Sequence, residues 1–149
     1  MTDAPKYNRI MYENARNRKD QENLITVYMN HADATAYDCP PNYPLDYLCK
    51  RDKRTVAFVE CRKRNKPFRY YPTIFCSMKK VMFGRDIMSN FGIPVIFLVG
   101  FSDGVIATVN FDEHGFIDHQ NVNFRNDIND LEPVMNWSID SFKVIQNIN

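Results

Sequence analysis

Long apolar runs are missing from this 149-residue chain. The longest, IPVIFLVGF from Ile93 to Phe101, falls far short of the roughly 20 residues that a membrane-crossing helix needs. The opening MTDAPKYNRI has neither the basic start nor the apolar stretch of a secretory signal, which makes the cytoplasm the expected compartment. Glycine is scarce, at five residues, and Gly92, Gly100 and Gly104 are not spaced as a phosphate-cradling loop. No G-x-S-x-G occurs, so a serine-hydrolase elbow is excluded. Cysteine is equally sparse. Cys39, Cys49, Cys61 and Cys76 are separated by 10, 12 and 15 positions with no C-x-x-C pair, which argues against a zinc knuckle or a redox motif and for reduced, mostly buried thiols. His114 and His119 lack a partnering Cys or an H-E-x-x-H helix, so they make a weak zinc signal.

What is present is an ordinary globular composition, 44% hydrophobic and 25% charged, expected to form a single domain over 1–149. A chain of this size buries roughly two-thirds of its unfolded surface, so its core needs no covalent or metal staple. The formal net charge of +1 conceals a segregation. Residues 50–69 hold nine basic side chains against Asp52 and Glu60, whereas residues 102–149 hold Arg125 and Lys143 against eight acids. A local excess of this kind steers polyanions, which makes the middle of the chain a phosphate-binding candidate. The same residues also fit a solvated Lys/Arg-rich hairpin that discourages edge-to-edge aggregation.

Asp20 is placed to cap a helix over about 20–32, with Leu24, Val27, Tyr28 and Ala32 on its apolar face and Glu22 in its first turn. The Pro-punctuated ATAYDCPPNYP reads as a short extended piece and a turn. PLDYLCK and TVAFVECRKR then form a hairpin with Arg51 to Arg54 at its tip. After the Pro-bounded NKPFRYYP, the apolar stripe Ile74, Met78, Val81, Met82, Ile87 and Met88 predicts a second helix ending near Asn90 to Gly92. IPVIFLVGF and VIATVNF, split by Asp103-Gly104, predict a second hairpin. The Asn/Asp-rich HGFIDHQNVNFRNDINDLEP reads as loop, and NWSIDSFKVI as a last strand or short helix. This order argues for an α/β fold, a mixed central β-sheet flanked by helices.

Strand alternation along VAFVECRKR places Val56, Phe58, Glu60 and Arg62 on one face and Ala57, Val59, Cys61 and Lys63 on the other. A carboxylate ending an apolar strand must be paired, solvated or metal-bound. Asp46, in YPLDYL, is similarly flanked, and if the two strands pair as a hairpin both acids can converge at one point, a donor set suited to hard divalent cations such as Mg²⁺. A salt bridge between either acid and a neighbouring arginine is the competing reading. Glu22 is a third acidic candidate.

Glu22 on a helix, Asp46 in YPLDY, Glu60 in AFVECRKR and a following helix with SMKK together resemble the core of the PD-(D/E)XK nuclease superfamily, in particular small stand-alone phage or bacterial endonuclease-like proteins. The resemblance spans about 20–110, leaving 111–149 as a C-terminal extension, and implies an α-β-β-β-α-β core. It implies that Asp46 and Glu60 ligate Mg²⁺ or Mn²⁺, with the Cys61 carbonyl as a further ligand and Glu22 as the acid of the first helix. DNA is the implied substrate, branched or single-stranded forms included, and a homodimer is a possible assembly. Arg51, Lys53, Arg54, Lys63, Arg64 and Lys79 are the candidate DNA contacts.

The departure is Arg62, where the motif carries lysine. A guanidinium orients water or stabilises charge but does not serve as a general base. Lys63 faces away on a regular strand unless a bulge returns it, and Lys79 and Lys80 on the next helix are the other sources of an amine; the resemblance favours Lys80, which follows Ser77 in a Ser-x-x pattern, a helix-surface lysine being the alternative. Phe68, Tyr70 and Tyr71 suit base stacking or simple packing. The leading expectation is a metal-dependent DNA endonuclease. The alternative is a catalytically impaired nuclease fold that binds nucleic acid or a protein, and a third is an α/β protein with no nucleic-acid role.

Overall fold

The computed structural model describes residues 4–121 and 131–147. In chain order the elements are α1 (Ala4–Ala32), β1 (Thr35–Asp38), β2 (Tyr47–Arg51), β3 (Arg54–Lys63), β4 (Thr73–Ser77), α2 (Met78–Phe91), β5 (Val95–Gly100), β6 (Ile106–Asn110), β7 (Phe116–Asn121), β8 (Leu131–Ser138) and β9 (Lys143–Gln146), with a 3-10 turn at Ile139–Ser141. The fold is α/β, as expected, with a six-stranded mixed sheet in the order β1-β2-β3-β5-β6-β9. Only its β3–β5 pair is parallel. A second, antiparallel sheet runs β4-β8-β7. No helix among the described residues is long and apolar enough to cross a membrane.

The large sheet separates two apolar layers. On one face Leu24, Ile25 and Tyr28 of α1 pack on Tyr47, Cys49, Ala57, Val59, Cys61, Ile96 and Leu98. On the other, Val81 and Ile87 of α2 and Ile74, Met135 and Trp137 of the small sheet pack on Val95, Phe97 and Val99. β5 is buried on both faces, which is why its sequence is a continuous apolar run rather than an alternation.

Several expectations change. α1 begins at Ala4, so Asp20 is not a cap but a half-buried residue within the helix. The polar segment before it has helix-compatible residues but little apolar periodicity to announce them. Ile74 lies on β4, not on the second helix, which begins at Met78 and ends, as expected, at a left-handed Gly92 (φ 67°). Residues 116–121, read as loop, form β7, and residues 122–130 of that stretch lie outside the described residues. Val56 packs on the α1 side, because a bulge opposite Cys49/Lys50 interrupts the alternation of β3. The Asp52-Lys53 tip does form the expected hairpin, with both residues left-handed (φ 52° and 67°), as a two-residue turn matched to strand twist requires.

α2 is seated closely. The rings of Phe97, Phe111 and Trp137 lie 5.7–6.3 Å apart, Trp137 Nε1 donates to the Glu113 carbonyl at 3.0 Å, and Arg85 Nε donates to the Phe111 carbonyl at 2.8 Å. A Cβ on Gly84 would meet the Phe111 ring at 2.4 Å, so this turn of α2 reaches its seat only as glycine. Gly84→Val is expected to lower the unfolding free energy by roughly 2–3 kcal/mol in urea titrations, since a ring wedged between two others has nowhere to move. An unchanged midpoint would show that α2 is not held there.

Candidate active site

β2 starts one residue after Asp46, and the ladder pairs Tyr47 with Val59, so Asp46 stands beside Glu60 on β3. The Asp46 amide donates to the Val59 carbonyl at 3.2 Å, and its Oδ2 accepts from the Cys61 amide at 2.8 Å. That amide nitrogen is bonded to the carbonyl carbon of Glu60, so the two acids meet at one place. The segment before Asp46 is held to α2 through Tyr43, whose ring meets Phe83 edge-on at 5.3 Å, and through the buried Leu45.

Glu60 is only 1% exposed. Its Oε2 accepts from Lys80 Nζ at 2.5 Å, and Lys80 lies in the first turn of α2. Its Oε1 is buried without a hydrogen-bond partner. Burial above all, and then the negative charge of Asp46, push the carboxyl up to about 7, while Lys80 and Arg62 pull the other way. A purely structural ion pair would satisfy both oxygens, because an orphaned acceptor in a dry site costs roughly 1–3 kcal/mol. A half-satisfied carboxylate beside a second carboxylate is a donor set that fits a hard divalent cation. The Cys61 side chain itself faces α1, where burial drives its thiol pKa well up. Cys49 and Cys76 are likewise buried free thiols, pushed up to about 11 and about 12, and Cys39 is half-buried.

Lys80 is therefore brought to Glu60. Arg62 is exposed on β3, and its charge acts on Glu60. Lys63 points to the opposite side and lines a cavity with Asp20, Asn23 and Gly100. Glu22 is not assembled with the pair. It lies mid-helix with its side chain 63% exposed, 4.0 Å from Arg18, which donates to Asp38 at 2.9 Å. Among the described residues, no three His, Cys, Asp or Glu side chains cluster as a metal site, His114 and His119 included.

The basic residues are less uniform than their count suggests. Arg51 donates to the Ala32 and Asp33 carbonyls at 2.5 and 2.9 Å, so it caps the C-terminus of α1, where a cation complements the helix dipole. Lys53 and Arg54 are exposed at the hairpin tip. Six residues of β3 separate Arg54 from Glu60, roughly 20 Å at ~3.3 Å per residue. Arg64 is half-buried, donates to the Phe75 carbonyl at 2.9 Å and lies 4.9 Å from the Phe75 ring centroid. Burial lowers its guanidinium to about 10, still charged at neutral pH. Lys79 is exposed beside Lys80. Sequence reasoning missed that Arg64 ties β3 to β4. Its signal was the same alternation, carried two residues past Arg62.

The sequence matches the family described as "Phage putative PDDEXK endonuclease" over residues 7–145, and the chain belongs to that family. The match runs through β8 and into β9, beyond the 20–110 that carried the resemblance. Among solved structures, the chain is similar to Hjc, a Holliday junction resolvase from the archaeal hyperthermophile Archaeoglobus fulgidus, at 10% identity over 79% of this chain and 86% of that one, with a TM-score of 0.49. No curated protein matches it significantly.

The raised carboxyl has a consequence for stability. Between 4.5, its ordinary value, and about 7, native Glu60 keeps a proton that the unfolded chain releases, so stability falls as pH rises through that window. The loss is roughly 3 kcal/mol and persists above pH ~7. In EDTA, Glu60→Gln is expected to gain stability over wild type at pH 8 compared with pH 5, read from urea unfolding. Parallel pH curves for the two proteins would contradict this.

Proposed function

We propose that the protein is a Mg²⁺- or Mn²⁺-dependent endonuclease that hydrolyses phosphodiester bonds in DNA, in phage recombination, repair or DNA processing. The observation that carries this reading is the unpartnered Oε1 of a buried Glu60 set against Asp46. Asp46, Glu60 and the Cys61 carbonyl would hold the cation. When bound, it supplies Lewis-acid polarisation of the phosphate and a more acidic water.

The chain's own cations do the rest. Lys80 neutralises Glu60 in the metal-free site, and its short tether on the first turn of α2 keeps the ammonium where negative charge develops on a phosphate. Arg62, permanently charged and exposed, stabilises that charge from the β3 side and transfers no proton. Lys79 is placed for a backbone phosphate next to the centre, and Lys53 and Arg54 for one roughly 20 Å away along β3. Glu22 and Arg51, engaged elsewhere, have no part in this scheme. The impaired-nuclease alternative rests on Arg62 in place of lysine, and the Lys80–Glu60 contact favours the enzyme reading over it.

The test is cleavage of plasmid, single-stranded and branched DNA with Mg²⁺, Mn²⁺ or EDTA. Asp46→Ala and Glu60→Ala are expected to abolish cutting together with the thermal stabilisation that Mn²⁺ confers. Lys80→Met is expected to slow cutting by about 100-fold, the scale of losing one preorganised charge donor, while keeping the Mn²⁺ shift. Arg62→Lys preserves or raises activity. DNA binding that ignores metal, with no cleavage of any substrate, would overturn the reading.

A further inference from the structure

The segment between β3 and β4 carries a feature that phosphate hydrolysis does not use. Tyr70 and Tyr71 are adjacent, 57% and 48% exposed, with ring centroids 4.9 Å apart in an edge-to-face pair. Their neighbour Phe68 does what an aromatic in a loop usually does. It packs on the core, 5.2 Å from Phe101. Of the two readings open for these aromatics, packing therefore holds for Phe68 and leaves the tyrosines unexplained.

Exposed rings are common singly. Here, however, the backbone is anchored so as to present two together. Arg69, just before them, is left-handed (φ 74°), a strained state for a side chain of its size. The anchors lie on both sides of it. The Phe68 amide donates to Asp103 Oδ2 at 3.2 Å, the Tyr70 amide to the Pro67 carbonyl at 3.0 Å, Arg69 pairs with Asp140 at 2.7 Å, and the Ile139 amide donates to the Pro72 carbonyl at 2.8 Å. The backbone that carries the two rings is therefore held on both sides.

They are also joined to the cleavage centre by cations. Glu60, Arg62 and Arg64 alternate along one side of β3 and its end, spanning roughly 13 Å at ~3.3 Å per residue, a length that a few nucleotides cover. Arg64 holds β4 two residues after Thr73, whose chain comes directly from Tyr71 and Pro72. Lys66 places its ammonium 4.9 Å from the centre of the Tyr70 ring. A line of positive charge ending on solvent-exposed aromatic side chains is the arrangement by which proteins hold a single strand, phosphates on the cations and bases on the rings.

We propose that Tyr70 and Tyr71 form a stacking shelf for unpaired bases, fed along Arg62, Arg64 and Lys66 from the Asp46–Glu60 centre, so that the preferred DNA carries a single-stranded segment next to the scissile bond. This rests on the nuclease reading above and names its substrate class.

The experiment measures binding in EDTA by fluorescence anisotropy, using a labelled thymidine single strand, the same strand with abasic sites, and a duplex of equal length. The ratio of single-strand to duplex affinity is the readout. Tyr70→Ala/Tyr71→Ala is expected to lower that ratio at least about fivefold, the lower end of what one stacked base contributes. Tyr70→Phe/Tyr71→Phe is expected to restore it, and abasic sites to lower it for the wild type. An unchanged ratio in the alanine variant, while the wild type binds and cuts DNA, overturns the shelf alone. Equal losses on single strand and duplex overturn it too, since they mark a general effect on the fold or on charge. Wild-type protein that binds no DNA of any form overturns both readings, and would turn the exposed rings into a protein-docking surface.

Discussion

A carboxylate sealed from water has to be stabilised by something, and in this protein that need organises the molecule. Glu60 sits on β3 just past its pairing with β2, with Asp46 on one side and Lys80 of α2 on the other. The two neighbours oppose each other electrically. Asp46 makes ionisation of Glu60 harder and Lys80 makes it easier, and the balance leaves the group poised near neutrality with one oxygen unsatisfied. The architecture around it holds three charged side chains from three elements in register despite their mutual cost.

Seen that way, the small sheet is part of the site. Lys80 reaches Glu60 only because α2 begins at one fixed place. β4 delivers the chain to Met78, β8 supplies Trp137 beneath the helix, and Arg85 fastens the helix to the carbonyls of Phe111 and Glu113. The described strands of the C-terminal third thereby help to set where Lys80 stands. The family match through residue 145 is consistent with a fold that needs those strands.

Much of this was legible in the amino-acid order, and the reasons for the exceptions are specific. The alternation of β3 correctly paired Glu60 with Arg62 and turned Lys63 away, because a strand bordered by apolar residues on both faces has little freedom of register. It failed at Val56, where a bulge adds a residue that no periodicity announces. Of the two adjacent lysines it is Lys80 that reaches Glu60, because α2 starts at Met78. Ile74 misled because a five-residue apolar strand running straight into an apolar helix shows one unbroken stripe. β7 was hidden for the opposite reason, since Asp118, His119, Gln120 and Asn121 are poor strand formers that gain their order from pairing with β8. Counting charge was the least informative step: Arg51 is committed to two backbone carbonyls and Arg64 spends one of its guanidinium nitrogens on another, facts that only tertiary structure reveals.

The protein contains one tryptophan, and it lies fully buried against Phe97 and Phe111 under α2. Indole emission is sensitive to hydration and to nearby rings, so the tryptophan fluorescence of this chain, excited where its eight tyrosines do not absorb, comes from the seat of the helix that carries Lys80. An unmodified sample consequently has an optical gauge of whether that helix is docked, with no label near the acids.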